Sequence, residues 1–363
     1  MKVVFRADAS LEIGSGHVMR CLTLAEALKA IGAECHFVCR EHPGHLNDHI
    51  RQRGFPVTSL PVTDYNPVGD PVPVHAPWLG CDWQTDSQQT SDILASIHPD
   101  WLVVDHYALD YRWEASLKNF YSRLLVIDDL ADRHHDCDLL LDQNLGREAQ
   151  DYFGLVPDNC ALLIGPQYAL LRPEFSELRD YSLSRRTQPA LRQLLITMGG
   201  IDKDNVTGKV LTALQSSPLP EDCKILVILG ATAPWLDQVR SLAEQMPWHT
   251  EVRVNVGNMA QCMADSDLAI GAAGSTSWER CCLGLPTLLM VLAENQRSGA
   301  SALERNQAAH LAEGDISSVL PVLIEHVQAS KLLQSMSNAA SGICDGNGAG
   351  RVISRMEVNY EHV

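Results

Sequence analysis

Short, largely apolar runs recur along this chain with helix-length segments between them, and this alternation limits its possible folds more than any other feature. The runs are Val3–Phe5, Glu34–Val38, Trp101–Val104, Leu124–Ile127, Leu139–Leu141 and Ala161–Ile164, then Leu194–Met198, Ile225–Leu229, Glu251–Val256, Asp267–Ile270 and Thr287–Leu292. A half-solvated strand alternates apolar with polar residues; an unbroken run belongs to a parallel strand covered on both faces. Between the runs, apolar residues fall at helical spacing. Val18, Cys21, Leu22, Ala25 and Leu28 form one such set, with Gly32 as a stop, and Ile93, Leu94 and Ile97 mark another over 86–98. The pattern predicts an α/β chain of two doubly wound halves.

With 363 residues there is room for two domains. A polar run from Arg179 to Pro189 separates them, so we expect an N-terminal domain over 1–180, a second over 181–345, and a C-terminal helix or tail over 346–363. Residues 41–54 read as helical or mixed. The stretch 56–80 carries Pro61, Pro67, Pro71, Pro73 and Pro77, which exclude a regular element and predict a long surface loop.

The formal net charge of -17 argues against a nucleic-acid partner, since a phosphate backbone needs a basic footprint. Met1-Lys2 leads directly into a strand with no signal-type apolar region, and no apolar run reaches the roughly 20 residues of a membrane helix. Eleven cysteines in irregular positions, with no CxxC pair, read as buried reduced thiols. These features predict a cytoplasmic protein with no membrane partner. His42, His45 and His49 have the spacing of metal ligands, but Pro43 and Gly44 interrupt any helix there, and no metal or cofactor is expected.

Two glycine turns carry the chemistry. The first, Glu12-Ile13-Gly14-Ser15-Gly16-His17, joins the first strand to the first helix and delivers an imidazole to a helix start, where free N–H groups favour an anion. His17 is either a candidate acid or base, or merely a residue that caps or solvates the helix. The second, Gly271-Ala-Ala-Gly274-Ser275-Thr276-Ser277-Trp278-Glu279, offers small residues and hydroxyls suited to a pyrophosphate. Glu279 lies one turn on, on the side of Ser275 and Thr276, where it would accept hydrogen bonds from a ribose diol. The alternative is a plain cap, with Ser275 at the N-cap and Glu279 in the first turn. The turn is neither a Walker A loop nor a GxGxxG fingerprint. Asp105-His106-Tyr107 and Asp128-Asp129 end strands, and ligands of open α/β sheets bind outside such carboxyl ends.

Phe5-Arg-Ala-Asp-Ala-Ser10, Ile13-Gly-Ser-Gly-His17, Arg20-Cys21-Leu22, Leu24-Ala25, Asp105-His106-Tyr107, Ile127-Asp128-Asp129-Leu130, Gly199-Gly200 with Asp202, Ile270 to Glu279, Gly284-Leu-Pro286 and Asn295-Gln296 follow one another in an order that resembles a known family. It is that of the PseG-type hydrolases, which act on UDP-2,4-diacetamido-2,4,6-trideoxy-β-L-altropyranose in pseudaminic acid biosynthesis, a route to flagellin glycosylation. More distantly, the chain is similar to MurG-like glycosyltransferases of the GT-B fold. The resemblance implies two Rossmann-like domains facing each other across a cleft, and a monomer that takes a UDP-sugar. It implies His17 as the general base that activates water for attack on the anomeric carbon. Gly274, Ser275 and Thr276 would hold the diphosphate and Glu279 the ribose, with Gly199, Gly200, Gly230 and Met259 also on the UDP side. Arg6, Asp8, Gly14, Gly16, Asp105, His106 and Tyr107 would line the sugar side, with Asn295 and Gln296 near phosphate or sugar. The stretch 56–80 is longer than the family pattern requires. A UDP-sugar glycosyltransferase using the same cleft, with a hydroxyl acceptor in place of water, is the alternative.

Overall fold

A computed structural model describes residues 1–63, 74–329 and 332–360. The chain divides into two compact units, Met1–Leu170 with Asn347–Val363 and Leu171–Gly346. The boundary therefore falls at Leu171 rather than at residue 181, and the final segment, expected as a helix or tail, is a helix that belongs to the first unit.

The first unit is built on a seven-stranded sheet. Its strands are β1 (Lys2–Ala7), β2 (Glu34–Arg40), β3 (Val57–Leu60), β4 (Trp101–Asp105), β5 (Arg123–Ile127), β6 (Leu139–Asp142) and β7 (Ala161–Ile164), in the order β3-β2-β1-β4-β5-β6-β7. All the pairings are parallel. Helices α1 (Gly16–Ala30), α2 (Asn47–Gln52), α3 (Trp83–Ile97) and α4 (Tyr111–Ser116) connect them. Both sheet faces are buried, as the apolar runs require: Val3, Phe5 and Ala7 pack with Val18, Leu24 and Leu28 of α1, while Val4 packs with Leu94 and Trp113 on the other side. The C-terminal helix Gly348–Tyr360 returns to the first of these cores through Ala349, Val352, Ile353 and Met356.

Strand β3 sits between Pro56 and Pro61, inside the stretch expected to be irregular, and pairs with β2 at the sheet edge. An edge strand tolerates flanking prolines because one of its sides needs no partner. Ala76–Leu79 then forms a single 3₁₀ turn. The expectation of a long loop through Pro67, Pro71 and Pro73 lies outside the described residues.

The second unit opens with α5 (Pro173–Glu177) and α6 (Arg179–Arg185), so the polar run is in part helical. Its sheet has six parallel strands: β8 (Gln193–Thr197), β9 (Lys224–Leu229), β10 (Thr250–Val254), β11 (Leu268–Ala272), β12 (Thr287–Met290) and β13 (Ala309–Leu311), ordered β10-β9-β8-β11-β12-β13. Helices α7 (Val206–Leu214), α8 (Leu236–Glu244), α9 (Met259–Asp265), α10 (Thr276–Cys282), α11 (Arg297–Arg305), α12 (Ile316–Ala329) and α13 (Leu332–Ser341) complete it. Each sheet reverses its winding order once, between β1 and β4 and between β8 and β11. Such a reversal opens a crevice at the carboxyl ends of the two strands. No helix among the described residues is long and apolar enough to cross a membrane.

Candidate active site

In the first unit the reversal point is occupied by His17, from the β1–α1 turn, and Asp105, the last residue of β4. His17 Nδ1 lies 2.6 Å from Asp105 Oδ1. A carboxylate only accepts, so Nδ1 carries the proton and Nε2 is left as the basic nitrogen. His17 is 8% exposed, and among the described residues its Nε2 meets no hydrogen-bonding partner. Arg20 grips the same carboxylate from beneath, Nε to Oδ2 at 2.6 Å and an Nη to Oδ1 at 2.6 Å. Burial pushes the Asp105 carboxyl up, but Arg20 and His17 outweigh it and hold the group below the usual carboxylate range. Asp105 thus stays ionised and fixes both the tautomer and the direction of the imidazole.

Asp129 extends this network. It takes Arg20 at 2.8 Å and the Tyr107 hydroxyl at 2.6 Å, and the Tyr107 ring stands edge-on to His17 with centroids 4.6 Å apart. Sequence reasoning assigned no role to Arg20 or Asp129. Arg20 was within reach, since it lies three residues after His17 on α1 and therefore on the same helix face.

The register places Ala7 beside Asp105, so Asp8 lies next to His106. Asp8 Oδ1 accepts from Arg6 at 2.6 Å and from the Arg40 backbone N–H at 2.6 Å. Its Oδ2 faces His106 Nε2 at 3.2 Å and His42 Nε2 at 3.7 Å. Arg6 is not a sugar contact. It is fully buried, bound to Asp8 and, through two nitrogens, to Asp86 of α3 at 3.2 and 2.6 Å. It points to the β-sheet face opposite α1, where Val4 also lies, and reaches no surface. Gly14 adopts φ +81°, which a glycine holds without strain, and bonds back to Ser10 at 2.9 Å, closing the turn before His17. Gly16 is the first residue of α1.

In the second unit the reversal lies between Gly199-Gly200, after β8, and the turn that follows β11. Gly230, after β9, donates its N–H to the Gly200 carbonyl at 3.0 Å, and a β-carbon at Gly230 would collide with that carbonyl oxygen. The two turns nest because neither has a side chain. Asp202 accepts from Val206 and Thr207 N–H groups, both at 2.8 Å, and so satisfies the start of α7. Gly274 sits beside Gln296, whose amide nitrogen lies 3.9 Å from where a β-carbon of Gly274 would stand. Asn295 is exposed, and Met259 opens α9 at the same carboxyl edge of the sheet.

Ser275 stands at the N-cap of α10 with Glu279 in its first turn, as the plain-cap reading has it, but Ser275 is exposed and its side chain makes no capping hydrogen bond. Beneath the turn lies Arg280, a residue that pattern reading passed over. It is 1% exposed and donates to the Ala272 carbonyl at 2.7 Å and the Ser277 hydroxyl at 3.0 Å, with Thr276 Oγ1 at 3.4 Å. Among the described residues it enters no ion pair, and burial lowers its guanidinium to about 10. A buried cation without a carboxylate raises the potential of the turn above it and favours an anion there. Glu279 is 18% exposed, with Arg172 3.8 Å away. Burial raises its carboxyl to about 7, against the pull of Arg172.

No protein-family model matches the chain. It is 28% identical over 311 residues to the UDP-2,4-diacetamido-2,4,6-trideoxy-β-L-altropyranose hydrolase of Campylobacter jejuni, covering 84% of this chain and 97% of that protein. The chain is similar to a nucleotide-sugar hydrolase across most of its length. It is also 26% identical over 301 residues to an uncharacterised protein of Methanocaldococcus jannaschii. That match takes in 82% of this chain but spans only 57% of the longer archaeal relative. Among solved structures, MurG of Acinetobacter baumannii superposes with a TM-score of 0.69 at 14% identity, covering 98% of this chain and 99% of MurG. The fold is therefore the GT-B type, with two Rossmann-like α/β units.

Proposed function

We propose that this chain hydrolyses a UDP-linked 2,4-diacetamido-2,4,6-trideoxy sugar to UDP and free sugar, with His17 as the general base. The observation that carries the reading is the Asp105–His17 pair, which leaves one imidazole nitrogen basic at a strand-end crevice. Water gives a proton to Nε2 as its oxygen bonds to the anomeric carbon. The bond from that carbon to the phosphate oxygen breaks, and UDP leaves with the electron pair. UDP is a good leaving group once its charge is met by fixed donors. The turn 272–277 with Arg280 below it fits that role, and Glu279 fits the ribose hydroxyls. The fold likeness to MurG favours a glycosyltransferase as the second reading, in which an acceptor hydroxyl replaces water. Incubation with a panel of UDP-sugars and no acceptor separates the two. The hydrolase releases UDP and free sugar from an N-acylated deoxy sugar, whereas turnover only on adding an acceptor would establish the transferase.

Two expected results test the nucleotide side. Arg280→Met keeps the bulk and removes the charge, so UDP should bind about tenfold more weakly by calorimetry while the melting temperature holds or rises, because a buried unpaired cation is itself costly. An unchanged dissociation constant would remove Arg280 from the anion site. Glu279 is protonated below about 7 and ionised above it. A carboxylate is the stronger acceptor for ribose hydroxyls, so affinity for a UDP-sugar, whose diphosphate does not titrate near neutrality, should rise as pH increases through about 7. Glu279→Gln should flatten that profile. A wild-type profile with no inflection would separate Glu279 from the ribose.

A further inference from the structure

Beside His17 the chain builds an aromatic surface that the reaction step itself does not use. Tyr107 is its base, buried and held by the hydrogen bond to Asp129 at 2.6 Å. Trp78 lies nearly parallel to it, with centroids 5.8 Å apart and planes at 23°. His75 stands edge-on to both, 4.6 Å from Trp78 and 5.2 Å from Tyr107. Trp78 and His75 belong to the 3₁₀ turn near the end of the proline-rich stretch. This turn is anchored: Ala76 and Leu79 are buried, and Thr63 donates to the Gly80 carbonyl through both its N–H and its hydroxyl at 3.0 Å. Gly80 has φ +70°, and a β-carbon there would stand 2.7 Å from the His42 ring, so the turn closes tightly over its neighbours.

A structural aromatic would be enclosed, as Trp101 and Trp113 are at 0% exposure. Trp78 and His75 are instead only half-buried, and among the described residues neither the Trp78 indole N–H nor a His75 ring nitrogen is hydrogen-bonded to protein. An open aromatic surface next to a candidate base, with unused donors at its rim, has the makeup of a ligand wall. We propose that Trp78 and His75 form a specificity wall that receives the apolar face of the sugar and its methyl and acyl groups, with the indole N–H free for an acyl carbonyl or a hydroxyl. Burial lowers the His75 imidazole, so the wall is uncharged at neutral pH.

The inference rests on the hydrolase reading for the position of the sugar, and its test is separable from it. In Trp78→Ala, KM for the UDP-diacetamido-trideoxy sugar should rise about ten- to a hundredfold, the scale set by losing apolar contact in a pocket. Affinity for UDP alone should not change, and Trp78→Phe should recover most of the loss. The preference for this sugar over UDP-glucose should fall by the same factor in Trp78→Ala. An unchanged KM, or UDP affinity falling in step with it, would overturn the wall. If the wild-type protein releases no UDP from any UDP-sugar, the hydrolase reading fails, but binding still decides the inference. The UDP-sugar should bind more tightly than UDP in the wild type, and Trp78→Ala should erase the difference. Equal binding of the two by the wild type would overturn the proposal.

Discussion

Replacing His17 with alanine is expected to slow release of UDP and free sugar by about two to four orders of magnitude, the usual range for a lost general base, while UDP affinity stays as it was. The grounds are local. The β1–α1 turn sets the imidazole at the sheet reversal, Asp105 holds Nδ1–H at 2.6 Å, and Nε2 has no other task among the described residues. The residues that would grip UDP belong to the second unit, so truncation of His17 should leave them undisturbed. His17→Gln would retain polarity and lose basicity, and it should be as slow as alanine. Asp105→Asn makes a useful companion: it removes the charge that Arg20 clamps and lets the imidazole turn over, so its loss should appear in kcat with little change in UDP binding. Steady-state rates and calorimetric UDP titrations on the same preparations check both. A His17→Ala protein at wild-type rate would place the base elsewhere.

The second large effect is on stability. Asp86, fully buried on α3, accepts from Arg6 at 2.6 Å, from Arg40 at 2.7 Å and from the Trp113 indole at 2.9 Å. Arg40 also reaches Gln89 at 2.9 Å and the Pro61 carbonyl. With Asp8, the cluster balances two cations with two anions under the β-sheet. Asp86→Ala leaves two buried guanidiniums to one carboxylate, and breaking a buried pair in this way costs about 3–5 kcal/mol. Denaturant unfolding should show that loss, with Asp86→Asn less affected because it keeps an acceptor for Trp113. Replacing Arg6 and Asp86 together with apolar residues of similar volume should recover much of it. Burial pushes both carboxyls up, but Arg6 and Arg40 more than reverse it at Asp86, and Arg6 with His106 and His42 does so at Asp8, leaving both below their ordinary value. Their contribution is therefore full above the ordinary carboxylate range and lost only as pH falls through the depressed folded values. Asp86→Ala should accordingly lose part of the acid dependence of wild-type unfolding. An unaltered unfolding midpoint at neutral pH would show that the cluster contributes nothing.

Most strands were legible because burial on both faces leaves an apolar run that periodicity can detect. The two that escaped, β3 and β13, are the short outer strands of their sheets, where one side needs no partner and the pattern weakens. The return of the C-terminal helix to the first unit was not legible, since an amphipathic helix does not state which core it covers. The glycine turns were readable as turns, and His17 as an imidazole at a helix start. The meaning of the residues around them depended on partners far away in the chain. Asp105 comes 88 residues after His17, and Asp86 comes 80 residues after Arg6. That distance is why Asp105 acquires a role in orienting His17, while Arg6, grouped with it by motif, turns out to be a buried structural cation. Arg280 was missed for a related reason: a lone arginine in a helix looks like a solvated charge until its burial is known.

Turnover in ¹⁸O-labelled water measures directly whether water, activated at His17 Nε2, attacks the anomeric carbon. Release is expected without any acceptor, with one labelled oxygen in the free sugar and none in UDP. Label in UDP would mean attack at phosphorus, and absence of release until an acceptor is supplied would mean a transferase; either result would overturn water attack at the anomeric carbon.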